Sequence, residues 1–235
     1  MGKNIISQAR GKGSPTYKSP SFRFVGKPQH PLLKQSKGVV AHLIHCQGHT
    51  APLAHIVYED KTEGLVIAAE GLTVGQQVES TTNTEIKSGN IMPLGSIPDG
   101  TLIHNIEQTP GDGGKFIRAS GTYGKVVGKK GSDVVVILPS KKTKIFNEKC
   151  RASIGVIAGG GRTDKPLLKA GRMMHKARAR NKLYPRSSAA SMNAVDHPFG
   201  NKHSSRKSKA RPISRNAPPG RKVGQVAARR TGRKK

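Results

Sequence analysis

One cluster in this chain has the side-chain types that bind zinc. His42, His45, Cys46 and His49 lie within eight residues, and imidazole and thiolate are the ligands of structural zinc sites. The neighbouring residues are apolar and typical of a β-strand, in which successive side chains point to opposite faces. His42 and His45 would then point apart, as would His45 and Cys46. We therefore expect ordinary strand and turn residues here, with no bound metal and no cofactor.

The adjacent pair Asp196 and His197 is the one arrangement that suggests an acid–base dyad. An imidazole with its ordinary pKa of about 6.5 could accept a proton near neutral pH. No Ser-His-Asp, paired-carboxylate or Cys-His arrangement stands out elsewhere in the sequence. Acids are scarce where glycine and basic residues are most frequent, so an enzyme would have few general bases to use.

Glycine-rich segments could contact phosphates. Gly-Lys pairs recur along the chain, but none is followed by Ser or Thr, which argues against a Walker A loop and a nucleotide-driven motor. Gly121-Thr-Tyr-Gly124 has the Gly-x-x-Gly form of a backbone-clamping loop, although its flanks look like strands. In Gly159-Gly-Gly-Arg162 the glycines would let the main chain approach a phosphate, and Arg162 could pair with it. A flexible hinge is the alternative, and both can hold.

Charge is distributed very unevenly. The formal net charge is +29, with +8 in residues 1–58, −7 in 59–112 and +28 in 113–235. Self-repulsion opposes compaction of such basic arms in water, so we expect them to need a polyanion to become ordered. The composition favours nucleic acid as the partner over a membrane, since neither an amphipathic membrane helix nor a lipidation signal is present.

Short apolar stretches between turn signals predict a mainly β protein. Strands are expected between residues 38 and 107 and again between 124 and 158, in two small barrels. The 28 glycines, 15 prolines and 4% aromatic residues argue against one large globule. Loosely spaced apolar residues predict one helix within Lys165–Leu183. The predicted domains are a basic N-terminal extension (1–37), two barrels (38–90 and 91–160) and a basic C-terminal extension (161–235).

Two further features bear on the compartment. Cys46 and Cys150 are the only cysteines and lie far apart, which fits a reducing compartment and gives no disulfide framework. The longest apolar run, Val134–Leu138, is too short for a signal-peptide core or a transmembrane helix. We expect a cytoplasmic protein.

The decapeptide Ser191-Met-Asn-Ala-Val-Asp-His-Pro-Phe-Gly200 resembles the signature of the large-subunit ribosomal protein L-two family. Ala194 and Phe199 stand where bacterial members have Pro and His, as in the archaeal and eukaryotic branch. Asn201-Lys202 replaces the continuing glycines of the bacterial signature. Segments 100–107, 121–123, 150–155 and 214–224 are also similar to that branch, so the resemblance spans almost the whole chain.

The resemblance implies an OB-fold barrel followed by an SH3-like barrel, with basic N- and C-terminal arms that extend into large-subunit rRNA. It implies a structural constituent of the large ribosomal subunit that binds rRNA near the peptidyl transferase region and supports assembly and subunit association in translation. The partners would be rRNA, other ribosomal proteins and the small subunit, with the chain a monomer in the ribosome.

His197 could be considered a helper in peptide-bond formation within such a family. The simpler interpretation is that Asp196 orients the imidazole, which then donates a hydrogen bond to an rRNA phosphate or base. Nearby phosphates would hold the imidazole protonated and make it a poor base. We therefore predict binding, with no catalytic residue and no enzyme activity.

The predicted rRNA contacts are basic side chains on the arms, together with polar residues of the decapeptide. Thin, glycine-rich arms suit RNA, because they can enter crevices that a globule cannot. The predicted contacts are Arg10, Lys12, Lys18, Arg23, Arg162, Lys169, Arg172, Arg178, Arg180, Arg186, Asn193, Asp196, His197, Arg206, Arg215, Arg221 and Lys222.

Two other classes of protein remain open. A free nucleic-acid chaperone with cold-shock-like barrels would share the basic arms but would not require the segment Met192–Pro198. An enzyme that acts on nucleic acid would need a phosphate loop, a metal cluster or clustered acids, and the sequence offers none of them convincingly.

Overall fold

The computed structural model describes residues 2–31, 36–82, 85–201 and 212–229. It divides the chain into two compact units. We call Ser21–Pro166 the β unit, and Met1–Pro20 together with Leu167–Lys235 the terminal unit. The residues predicted as one N-terminal extension, 1–37, are thus divided between the two units.

Ten strands form the β unit. Their order in the sheet is β3-β2-β1-β4-β5-β10-β6-β7-β8-β9, and neighbours are antiparallel except β4 and β5. The strands are β1 Ser36–Ile44, β2 Leu53–Tyr58, β3 Glu63–Ile67, β4 Gln77–Ser80, β5 Ile91–Pro93, β6 Leu102–His104, β7 Gly124–Lys130, β8 Asp133–Ile137, β9 Thr143–Asn147 and β10 Arg151–Ile154.

The mainly β class is confirmed. The strand order is consistent with an OB-fold followed by an SH3-like barrel, because β1–β4 and β6–β9 form two antiparallel halves that are connected through β5 and β10. The hydrogen-bonded strands of the described residues do not close into a barrel. The boundaries 38–90 and 91–160 stay a prediction.

Alternation of side chains gives each half its own core. In β8, Val134 and Val136 are fully buried and Val135 between them is half-buried, as expected for a strand with one face on a core. They pack with Ile103, Val126 and Phe146 in one cluster. A second cluster contains Val40, Ile56, Val66, Val78 and Ile91.

A buried ion pair holds the loop after β6 in the β unit. The Glu107 carboxylate is fully buried and accepts hydrogen bonds from Arg151 Nε (3.2 Å), Nη2 (2.9 Å) and backbone N (2.9 Å). It also accepts from the backbone N–H groups of Gly111 and Gly113. Burial alone would raise the pKa of Glu107, but the hydrogen bonds from Arg151 and Gly111 lower it below its ordinary value.

The segment Pro28–Pro31 is fastened to the same region. Arg118 Nη2 donates to the Pro28 carbonyl (2.7 Å) and Arg151 Nη1 to that of Pro31 (2.7 Å). The buried His30 lies between them, and its Nε2–H donates to the Asn105 carbonyl (2.6 Å). This part of the basic N-terminal segment is therefore an integral piece of the β unit.

The terminal unit has little regular structure. It contains α1 Ile6–Gly11, α2 Ala170–Arg178 and two short parallel strands, β11 Pro212–Ile213 and β12 Gln225–Val226. The predicted helix is confirmed as α2. Within the described residues, no helix is long and apolar enough to cross a membrane.

Two sets of contacts join the N-terminal residues to the C-terminal ones inside this unit. Lys3 Nζ lies 2.7 Å from Asp196 Oδ1, and the Lys3 backbone N–H donates to the Val195 carbonyl (3.1 Å). Asn181 Nδ2 donates to the carbonyls of Thr16 and Lys18, at 2.7 Å each. The two basic termini, expected as separate arms, therefore lie together.

Candidate nucleic-acid interface

The decapeptide forms a tight loop closed by backbone hydrogen bonds. The Asn193 carbonyl accepts from the N–H groups of Asp196 (3.0 Å) and His197 (3.2 Å), and the Asn201 N–H donates to the Met192 carbonyl (3.0 Å). Gly200 is buried against this crossing, where an added Cβ would collide with the backbone of Asn193. Only glycine fits at this position, so the loop path depends on it.

Within this loop, His197 is oriented by the main chain. Its Nδ1 accepts a hydrogen bond from the Phe199 N–H (3.1 Å), and its ring lies 5.2 Å from the Phe199 ring. Partial burial lowers the pKa of His197. The neutral tautomer that fits this bond carries its proton on Nε2, so the imidazole presents a donor suited to a phosphate oxygen or a base acceptor.

The expectation that Asp196 orients this imidazole is wrong. The Asp196 carboxylate pairs with Lys3, 193 positions earlier in the chain, and the Phe199 N–H takes the orienting role. A backbone donor two residues away has no signature in residue types. The acid–base dyad suggested by the sequence is therefore not assembled.

His197 faces a cavity of about 520 Å³ in the terminal unit. Lys222, also predicted as an rRNA contact, lines the same cavity, next to Arg221 in the short turn Pro219–Arg221. The other lining residues come from the start of the chain and from the C-terminal segment: Ile5, Ser7, Gln8, Pro219, Val223 and Gly224. The fold thus brings together two predicted contacts that are 25 positions apart.

A second cleft in this unit, of about 370 Å³, collects Arg10, Arg180 and Arg186. Lys176 and Lys182 also line it, although no sequence pattern singled them out. Apolar lining is supplied by Met173, Ala177, Leu183 and Tyr184. Residues of both termini again contribute to one site.

The remaining predicted cations are exposed and spread over the two units. In the terminal unit they are Lys12, Lys18, Lys169, Arg172, Arg178 and Arg215. In the β unit, Arg23 lies over the Phe22 ring (5.2 Å to the centroid) and Arg162 Nε donates to Ser120 Oγ (3.2 Å). Arg206 lies outside the described residues.

The two glycine motifs of the β unit meet each other. An added Cβ on Gly121 would lie 2.6 Å from Gly160 Cα, and one on Gly124 would lie 2.5 Å from Ile117 Cδ1. Close packing therefore accounts for the Gly-x-x-Gly pattern, which does not require a loop that clamps a nucleic-acid backbone. Gly159 and Gly161 have φ of 78° and 69°, a conformation that L side chains rarely adopt.

The structure does not bring together the four side chains of the cluster that has zinc-ligand types, His42, His45, Cys46 and His49. The His42 ring lies parallel to that of His55, 6.2 Å away across β1 and β2, while His49 Nδ1 lies 3.1 Å from Cys46 Sγ. Across the described ranges, no three His, Cys, Asp or Glu side chains are grouped so that they could hold a metal ion.

Comparison with known proteins supplies the family. The model "Ribosomal Proteins L2, RNA binding N-terminal domain" matches residues 5–80, and "Ribosomal Proteins L2, C-terminal domain" matches residues 87–217. The chain belongs to the ribosomal protein L2 family. The resemblance seen in the decapeptide is thereby confirmed.

Two relatives in the L2 family match end to end. The large ribosomal subunit protein uL2 of Archaeoglobus fulgidus is 51% identical over 236 residues, covering 99% of this chain and 99% of the relative. That of Methanococcoides burtonii is 46% identical over 237 residues, covering 100% of both.

Sequence patterns missed several residues that this L2-family structure brings to the candidate interface. Lys3, Lys176, Lys182 and Tyr184 carry no local motif. The uninterrupted basic character of both termini is the one signal that could have pointed to the lysines. Nothing local could have pointed to Tyr184, whose place depends on how Asn181 turns the chain after α2.

Proposed function

We propose that this chain is a structural component of the large ribosomal subunit that binds rRNA chiefly through the terminal unit. The observation that carries the proposal is the gathering of cations from both ends of the chain. The terminal unit holds 24 Lys and Arg residues and a single acid, Asp196, and that acid is already paired with Lys3. Such a surface favours a polyanion.

The named relatives support the ribosomal part of the proposal. Proteins 46% and 51% identical to this chain, over 100% and 99% of their length respectively, carry the name large ribosomal subunit protein uL2. Binding near the peptidyl transferase region, contact with other ribosomal proteins and the small subunit, support of assembly, and a monomeric state follow from the family resemblance. A cytoplasmic location follows from a ribosomal role.

We assign no catalytic step to the chain. Neutral His197 already uses Nδ1 to accept from Phe199, and its remaining nitrogen carries the proton. To act as a base the ring would have to give up that hydrogen bond. Its role is to donate a hydrogen bond to rRNA.

Sedimentation and salt titration test this function together. Endogenous protein should sediment with large subunits, and purified protein should bind large-subunit rRNA with an affinity that falls steeply with salt. About ten phosphate contacts on single-stranded regions give a slope of log affinity against log salt of about −7. A free pool away from ribosomes would support the chaperone class, and a flat salt response would refute the electrostatic interface.

A further inference from the structure

The cleft of about 370 Å³ in the terminal unit combines two surfaces of different chemistry. Its cations are Arg10 from α1, Lys176 from α2, and Arg180, Lys182 and Arg186 from the segment after α2. Its apolar side includes Met173, Leu183 and Tyr184. We call it the Tyr184 cleft.

The charge of this cleft is uncompensated. No acidic residue lines it, and among the described residues none of its five cations forms an ion pair. Like charges this close repel each other, and the C-terminal end of α2 offsets this only partly through its dipole. Bound anionic groups would remove the repulsion, and guanidinium groups are well shaped to hold phosphate oxygens.

The apolar side is suited to a flat ring. Tyr184 is half-buried, and Met173 and Leu183 are 38% and 37% exposed. RNA bases stack on aromatic side chains with a gain of about 1–3 kcal/mol per base. The cleft volume lies near the lower limit for ligand sites, about 300 Å³, which suits one nucleotide and excludes a duplex.

The wall that carries Tyr184 is pre-formed. Asn181 adopts a left-handed conformation (φ 50°), and its side chain donates to the carbonyls of Thr16 and Lys18. The Lys182 N–H donates to the Ala177 carbonyl at the end of α2 (2.8 Å). A fixed wall loses little freedom when a ligand binds, which favours affinity.

We propose that the Tyr184 cleft holds one unpaired RNA nucleotide, with the base against Tyr184 and the adjoining phosphates on Arg10, Arg180 and Arg186. This inference rests on the proposed function and assigns one site within the rRNA-binding surface. A free mononucleotide has the same base and phosphate chemistry, so the experiment must distinguish the two sources.

Photocrosslinking tests directly whether RNA occupies the Tyr184 cleft. The full-length protein is mixed with a single-stranded oligouridine of about six nucleotides that carries 4-thiouridine, irradiated and digested with trypsin. Cleavage after Lys182 and Arg186 isolates Tyr184 in the peptide Leu-Tyr-Pro-Arg. We expect the label on this peptide, retained in Tyr184→Phe, with little on the exposed Tyr123 of the β unit. Equal labelling of both tyrosines would overturn the site.

Two charge-removing variants test the assigned phosphate contacts. Arg180 lines the cleft, whereas Lys149 is exposed in the β unit and is not a predicted contact. Arg180→Gln and Lys149→Gln remove the same charge. Loss of a charged hydrogen bond predicts that Arg180→Gln lowers labelling at Tyr184 by about tenfold or more. Lys149→Gln should change it less than about twofold, and the exposed Arg186→Gln should repeat the loss if Arg180→Gln unfolds. Equal effects of all three would overturn the proposal.

Competition with unlabelled nucleic acids distinguishes single-stranded RNA from duplex RNA and from a free mononucleotide as the ligand of the cleft. Unlabelled single-stranded oligouridine should abolish the label, whereas the same nucleotide concentration of duplex RNA or of UMP should leave it. Full competition by UMP would overturn the assignment to RNA. If the protein binds rRNA with a steep salt slope and no label reaches Tyr184, the cleft assignment fails and the proposed function stands. If the protein binds no RNA at all, both fail.

Discussion

At the scale of single residues, Gly200 decides the path of the decapeptide loop. Its missing Cβ leaves room for the backbone of Asn193, whose carbonyl accepts the N–H groups of Asp196 and His197. Any side chain at position 200 would push apart the two backbone segments that meet in the loop, one at Asn193 and the other at Gly200. The position of the His197 donor therefore depends on a residue that is itself buried.

Gly200→Ala should open this loop and weaken rRNA binding, because the added methyl group collides with main chain that cannot move independently. Hydrogen exchange of the amides of residues 193–201 should become faster. Gly171→Ala is the matched control: that glycine lies in the first turn of α2 with nothing within 4 Å of its Cβ position, so alanine should fit there without loss of stability. Unchanged exchange in Gly200→Ala would contradict this account of the loop.

The Glu107–Arg151 pair is the most consequential charged contact inside the β unit. Glu107→Gln keeps the shape of the side chain but leaves the guanidinium without its counter-charge. Removing one partner of a buried pair costs about 3–5 kcal/mol, and we expect a loss of this size in the free energy of unfolding by urea. Glu63→Gln, at an exposed carboxylate that pairs with His55, should change little. Similar losses in the two variants would contradict the assigned role.

At the scale of elements, two buried histidines make the β unit sensitive to acid. His104 is the last residue of β6 and His30 bonds to the residue that follows it, and burial lowers the pKa of each from 6.5 to about 4. His104 Nδ1–H donates to the Gly155 carbonyl (3.0 Å), as His30 Nε2–H does to that of Asn105. Both rings are neutral in the folded protein, so protonation favours the unfolded chain.

The sign of the pH dependence follows from these shifts. The folded pKa is below the unfolded one, so the stabilisation is fully present above about pH 6.5 and is lost as the pH falls toward 4, at up to about 1.4 kcal/mol per pH unit for each histidine. Thermal unfolding of the β unit should show a falling midpoint between pH 7 and pH 5. His104→Gln should reduce this slope. A midpoint constant over that range would contradict the buried, neutral assignment.

At the scale of the whole molecule, the distribution of cations should matter more than their number. Four substitutions to Gln in the terminal unit, at Arg172, Arg178, Arg215 and Arg221, remove the same charge as four in the β unit, at Lys125, Lys130, Lys142 and Lys149. All eight side chains are exposed. If all four terminal-unit arginines contact phosphates, the first set should reduce the magnitude of the salt slope by about 2.8. The second set should reduce it less, and equal reductions would contradict binding through the terminal unit.

Local sequence patterns predicted much of the fold. Apolar stretches between turn residues predicted the strands, because burial on one face of a strand leaves an alternating pattern that needs no distant contact. The helix within Lys165–Leu183 was predicted in the same way and is found at Ala170–Arg178. The charge distribution likewise indicated a polyanionic partner, and the decapeptide indicated the family.

Tertiary structure alone decided which of these residues meet. Lys3 with Asp196, Glu107 with Arg151, and Arg10 with Tyr184 are brought together from distant parts of the chain. Residue types and local spacing describe the conformation of a segment and its tendency to be buried. The partner across a cleft or an ion pair depends on the path of the chain between them, and that path is set by the packing of the whole unit.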